Sequence, residues 1–165
     1  MTEFIVSGPH PIPVYKGKTG RIVREEEGRA FFAKHPAHAS KSGCYMFAMR
    51  AGGGITPSYV GLATKSFRQE CFTTHKLGKC NQTLVDYGRG TLVVFFFEPA
   101  SARGKAPTSQ IRLLEDFLIQ TAVSVNEDLL NVRQTKKASW SIRGIIRSVG
   151  KPSKAARDAK KALGL

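Results

Sequence analysis

The chain has few cysteines, few acids and no long apolar run, and each shortage excludes something. Its three cysteines, Cys44, Cys71 and Cys80, are odd in number and form no closely spaced pair. A disulfide framework needs paired thiols and an oxidising compartment, so free thiols in a reducing, cytoplasmic setting are expected. Cys71, His75 and Cys80 lack a fourth ligand and a regular spacing, which argues against zinc. No apolar stretch reaches the about 18 residues that a membrane helix needs. The opening segment, MTEFIVSGPHPIPVYKG, has no basic leader ahead of an apolar block, so neither a membrane span nor a secretory signal is expected.

Acidic residues are the sharpest deficit. Twelve Asp and Glu stand against 26 Lys and Arg, a net charge of +14. From Arg133 onward ten basic residues face one acid, Asp158, so the tail alone carries +9. Such a chain binds polyanions by releasing their condensed counterions, and nucleic acid is the expected partner. The expected phosphate contacts are Lys65, Lys76, Lys136, Lys137, Arg143, Arg147, Lys151 and Lys154. Charge names a partner class, not a reaction. With 165 residues and 41% hydrophobic content, there is material for one ordinary domain with a core.

What is present centres on residues 43–61, GCYMFAMRAGGGITPSYVG. This reads as two short strands, 44–50 and 55–61, joined by a glycine-rich turn at 51–54. Each strand carries a tyrosine beside a glycine, in Gly43-Cys44-Tyr45 and in Tyr59-Val60-Gly61. Pairing the strands brings the two phenols together on one surface. Strands favour aromatics, so the tyrosines alone also fit a purely structural role.

Around this hairpin the chain divides by composition. Residues 1–20, rich in Pro and Gly, read as an arm with little regular structure. Residues 22–34 have helical composition, with Glu25, Glu26 and Glu27 ahead of Phe31 and Phe32. His35 and His38 fall in a linker and read as solvent-exposed. After Gly61 a loop leads into a helix capped by Ser66 and stopped at Gly78, with Arg68 and His75 along one side. Residues 79–87 read as a second short helix or an irregular segment. The run TLVVFFFE at 91–98 is almost continuously apolar, as a central strand buried on both faces requires.

From Pro107 a further helix carries an apolar stripe of Ile111, Leu114, Leu118, Ile119 and Ala122. Glu115 falls inside that stripe. A carboxylate there is expensive unless it is paired, hydrogen-bonded or bound to a cation. Glu115 is therefore a site candidate, with a structural ion pair as the alternative, while Asp116 reads as ordinary surface. Asn131 follows two leucines. In the tail Ile142, Ile145, Ile146 and Val149 share a helical face, and KPSKAARDAKKALGL reads as a basic helix.

In order, GCY, YVG, a helix with Arg68 and His75, then Glu115 and Asn131 resemble the GIY-YIG nuclease family over residues 43–132. The resemblance implies a small α/β domain at 41–132 with a central three-stranded antiparallel sheet flanked by helices. An N-terminal arm and edge helix (1–40) precede it and a basic extension (133–165) follows. It implies an endonuclease that hydrolyses phosphodiester bonds, in DNA more than RNA, with one Mg²⁺ or Mn²⁺ on Glu115. The implied catalytic set is Tyr45, Tyr59, Arg68, His75, Glu115 and Asn131. One tyrosine acts as base, Arg68 clamps phosphate, His75 orients water or phosphate, and Asn131 steadies metal or substrate. A phenol needs cations nearby to serve as a base, and Lys65 and Arg68 are the expected source. One departure stands out. The helix position that carries the family's arginine holds Glu70 or Cys71, with Arg68 about one turn early. A nucleic-acid-binding scaffold with weak or no cleavage is therefore the second expectation, and a basic structural or ribosome-associated protein the third.

Overall fold

The computed structural model describes residues 2–100, 107–131, 142–143 and 151–163. The chain forms two compact units, Met1–Thr135 and Lys136–Leu165. The first runs β1 (Phe4–Pro11), β2 (Tyr15–Gly17), β3 (Gly20–Ile22), α1 (Glu25–Lys34), α2 (Pro36–Ala39), β4 (Gly43–Ala51), β5 (Gly54–Ala63), α3 (Phe67–Glu70), α4 (Thr74–Tyr87), β6 (Thr91–Pro99) and α5 (Thr108–Val125). The main sheet is antiparallel in the order β1-β6-β4-β5, and β2 pairs with β3 as a separate ribbon.

The sheet thus has four strands, not three. The additional one is β1, drawn from the segment that reads as an unstructured arm. Its prolines and glycine hide a strand from composition, yet they sit where a ladder tolerates them. Pairing runs from Phe4↔Pro99 to Ser7↔Phe96, slips across Gly8 and Pro9, and resumes at His10↔Val94. Pro9 has no N–H to donate, and the irregularity asks none of it. β6 lies between β1 and β4, as its apolar run requires, with Leu92, Val93, Val94 and Phe96 at 1% exposure or less.

Strand alternation sorts the hairpin side chains to two covered faces. Tyr45, Phe47, Met49 and Tyr59 join Phe96 in a core closed by Phe31 and Phe32 of α1 and by Leu77, Cys80 and Leu84 of α4. On the other face Cys44 packs on Ile111, and Val60 meets Ile119, Ala122 and Val123, all from α5. The glycines of the two triplets are there because neighbouring atoms leave no room for more. A Cβ on Gly61 would stand 2.5 Å from the phenol oxygen of Tyr45, its cross-strand partner. Gly43, at φ +147°, would place one 2.1 Å from the carbonyl oxygen of Phe97.

Two helices differ from expectation. Ser66 does cap a helix, its Oγ accepting from Gln69 N at 3.3 Å, but α3 ends at Glu70 and α4 starts afresh after Thr73. α4 then runs through Gly78 to Tyr87 and ends at Gly88, merging what read as two separate segments. A mid-helix glycine costs about 1 kcal/mol. Burying Leu77, Cys80 and Leu84 at helical spacing outweighs that. The acidic residues that open α1 pair with Arg24 and Arg29.

His35 and His38 are not solvated linker residues. Their rings lie 4.7 and 5.1 Å from that of His10 on β1, and His38 Nδ1 is 3.1 Å from Glu98 Oε2 on β6. Burial, then neighbouring positive charge, holds His10 and His35 below the ordinary imidazole range.

In the second unit α6 (Lys154–Ala162) is capped by Ser153, whose Oγ accepts from Ala156 N at 3.1 Å. Lys154 opens that helix, and Lys151 and Arg143 are exposed. Lys136, Lys137 and Arg147 lie outside the described residues, as does most of the amphipathic 141–149 stretch. No helix among the described residues is long and apolar enough to cross a membrane.

Candidate active site

β5 is an outer strand, so one of its edges has no strand partner among the described residues. The segment after α5 turns back along that edge. Asn126 Nδ2 donates to Pro57 O at 2.8 Å, and Leu130 N donates to Ser58 O at 2.8 Å. Asn131 completes the series. Its Oδ1 accepts from Val60 N at 2.9 Å while its Nδ2 donates to Val60 O at 2.7 Å. A carboxamide carries one acceptor and one donor group, and here they imitate a paired strand residue.

Beside Asn131 the edge opens into a cleft of about 450 Å³. Tyr59 and Asn131 border it at the strand, His75 and Lys79 from α4, and Arg112, Glu115 and Asp116 from α5. The two helices cover opposite faces of the sheet, and at the exposed edge side chains from both reach one space. Glu115 sits on the buried row of α5 between Ile111 (1% exposed) and Ile119 (3% exposed), so packing holds its backbone in place.

The electrostatics centre on Tyr59. Lys76 Nζ donates to its phenol oxygen and lies 4.6 Å from the ring centroid, with Lys79 Nζ at 5.9 Å. Burial, followed by the negative charge of Glu115, pushes the Tyr59 phenol up to about 12. Burial pulls Lys76 below the ordinary lysine range, although Glu115 acts in the opposite direction. Tyr45 lies deeper, at 0% exposure, and burial drives its phenol well above the ordinary value. Its hydroxyl points to the carbonyl of Glu70 at 3.5 Å, and its ring centroid is 6.4 Å from that of Tyr59.

The cleft thus brings together Tyr59, His75, Glu115 and Asn131 from the expected set. Tyr45 supports Tyr59 from within the core. Arg68 is elsewhere. It lines a separate hollow with Glu25, Arg29 and Phe72. The reason is the break between α3 and α4: Arg68 and His75 belong to different helices and share no face. Lys65 is exposed, with its backbone N–H donating to Glu70 Oε1 at 2.6 Å. Lys76, expected on phosphate, is directed to Tyr59. Asp116, which reads as surface, borders the cleft because the opening at the sheet edge exposes two adjacent sides of α5.

Sequence reasoning also passed over Lys79 and Arg112. Both carried a signal, one turn after His75 and one turn before Glu115 on the same helices. The donor set suits a hard cation. Mg²⁺ characteristically takes one or two carboxylates and completes its shell with water and phosphate oxygens, which Glu115 and Asp116 match. No group of three or more His, Cys, Asp or Glu side chains suited to a metal ion occurs among the described residues. No protein-family model, curated protein or solved structure matches the chain.

Proposed function

We propose that the protein is a metal-dependent endonuclease that hydrolyses phosphodiester bonds in nucleic acid. The observation that carries this reading is the meeting of Tyr59, Lys76 and His75 with Glu115 and Asp116 at one open sheet edge. Hydrolysis of a phosphodiester needs a positioned water, a proton acceptor and neutralisation of phosphate charge, and these residue types supply all three. DNA as the substrate follows from the sequence resemblance.

Glu115, with Asp116 beside it, would hold Mg²⁺ or Mn²⁺, which when bound supplies charge neutralisation at the scissile phosphate and the leaving oxygen. Tyr59 is the tyrosine that reaches the cleft, so it is the one to act on water. Burial pushes its phenol up to about 12, so the hydroxyl is protonated at rest near pH 7. The phenolate accepts the water proton, and the Lys76 ammonium at its oxygen favours that ionised form. His75 is exposed in the cleft and positions phosphate. Asn131 acts indirectly, by fixing the strand edge that carries Tyr59. Basic residues of the tail, Arg143, Lys151 and Lys154 among them, hold the backbone without reading sequence.

One observation favours a second reading, binding without cleavage: Arg68 lines a different hollow. A nick-and-cut assay on plasmid, single-stranded DNA and RNA separates the two, run with Mg²⁺, Mn²⁺ or EDTA. Product that needs metal and disappears in Glu115→Ala, with the variant still folded, supports the nuclease. Salt-sensitive binding with no metal-dependent product supports the binder.

A further inference from the structure

We propose that Arg112 is the phosphate-binding guanidinium of this cleft, in the role that the family resemblance implies for Arg68. The proposal rests on the endonuclease reading above. Arg112 stands one turn ahead of Glu115 on α5, and both border the cleft. The buried Ile111 and Ile119 fix this stretch of helix against the sheet, so the backbone positions that carry Arg112 and Glu115 are set before anything binds.

A cation on the wall of the cleft attracts an approaching phosphodiester and fixes where its phosphate sits. Guanidinium is the suitable one. Its planar fork offers two parallel N–H donors to two phosphate oxygens, whereas an ammonium acts as a point charge. The lysines are also committed otherwise. Lys76 donates to the Tyr59 oxygen, and Lys79 lies over the Tyr59 ring. Among the described residues, Arg112 is the one guanidinium bordering this cleft. Arg68 borders a hollow whose other charged residues, Glu25 and Arg29, pair with each other at 3.8 Å.

The test compares wild type, Arg112→Ala, Arg112→Lys, Arg112→Gln and Arg68→Ala in two measurements. The first is duplex oligonucleotide binding in EDTA across a salt series, and the second is cleavage in Mg²⁺. Loss of one phosphate contact lowers the slope of log K against log salt by about 0.9. Arg112→Ala should show that loss and a fall in kcat of about 10²–10³-fold, the scale of removing one preorganised donor at a developing charge. Arg112→Lys should keep the slope, since the charge remains, but recover only part of the rate, since the fork is gone. Arg112→Gln, which keeps the stem, decides the matter if Arg112→Ala melts early. Unchanged slope and rate in Arg112→Ala and Arg112→Gln would overturn the proposal, as would losses confined to Arg68→Ala. If wild type yields no metal-dependent product, the endonuclease reading falls, and the salt slope still decides whether Arg112 binds phosphate.

Discussion

Replacing Asn131 with Ala tests whether this side chain builds the site or acts in it. Its carboxamide makes two hydrogen bonds, of 2.9 and 2.7 Å, to the backbone of Val60, a residue at 0% exposure. Truncation leaves the Val60 N–H and C=O without these partners on an edge that no other described strand covers. A buried backbone group left unpaired costs about 1–3 kcal/mol. The adjoining cleft admits water, which places each loss toward the lower end, for a total of about 3 kcal/mol. At about 3 °C per kcal/mol for a chain of this size, Tm should fall by about 10 °C. Asn131→Asp should do no better, because a carboxylate can accept from Val60 N–H but sets an oxygen against Val60 O with no proton between them. Urea unfolding monitored by circular dichroism, with m unchanged, reads the loss as a shift in midpoint. An Asn131→Ala variant that melts like wild type yet no longer cleaves would refute the reasoning and make Asn131 a group that touches substrate.

Three further outcomes follow from the same geometry. Gly61→Ala drives a Cβ to 2.5 Å from the oxygen of a tyrosine with no room to retreat, and should destabilise the protein by about 1–3 kcal/mol; an unchanged urea midpoint contradicts that. Stability should fall on acidification. His10 and His35 titrate below their unfolded value of about 6.5, so below that pH the unfolded chain binds more protons and the native state loses ground. His38, Glu98 and Lys34 share their surroundings. Glu27, held down to about 2 by its hydrogen bond from Arg24, loses its contribution only at much lower pH. The urea midpoint should therefore drop between pH 7.5 and 5.5 and drop less in His10→Gln; a flat or rising profile would count against the histidine cluster. On the endonuclease reading, cleavage by wild type should rise with pH across the range 6–9, because burial is the main cause that holds the Tyr59 phenol above its ordinary value. Tyr59→Phe should be slow and lose that slope, and an equally steep profile in the variant would remove Tyr59 as the proton acceptor.

Much of this architecture is legible in the residues themselves. The β-branched and aromatic run at 91–98 requires a strand covered on both faces, and β6 is that strand. The stripe of α5 marks Glu115 as a carboxylate in a buried row from spacing alone, because a 3.6-residue period is a local property. The free cysteines and the basic tail are likewise readable from composition. β1 was not legible, since its ladder depends on β6, some ninety residues away, and local composition argued against it. The break at 71–73 was not legible either. Two helices can be capped within four residues, or one can run through, and the choice depends on which side chains the core admits. That choice separated Arg68 from His75.

What the sequence by itself determined is the hairpin at residues 43–61, the central strand β6, the apolar stripe of α5 with Glu115 inside it, and a strong excess of positive charge. Periodicity, charge and turn chemistry act over a few residues and need no fold to operate. Only the tertiary structure decided which of those residues meet. The open edge of β5 brings α4 and α5, from opposite faces of the sheet, to one cleft. There Lys76 caps the Tyr59 oxygen, Arg112 stands beside Glu115, and Asn131 holds the strand that Tyr59 stands on.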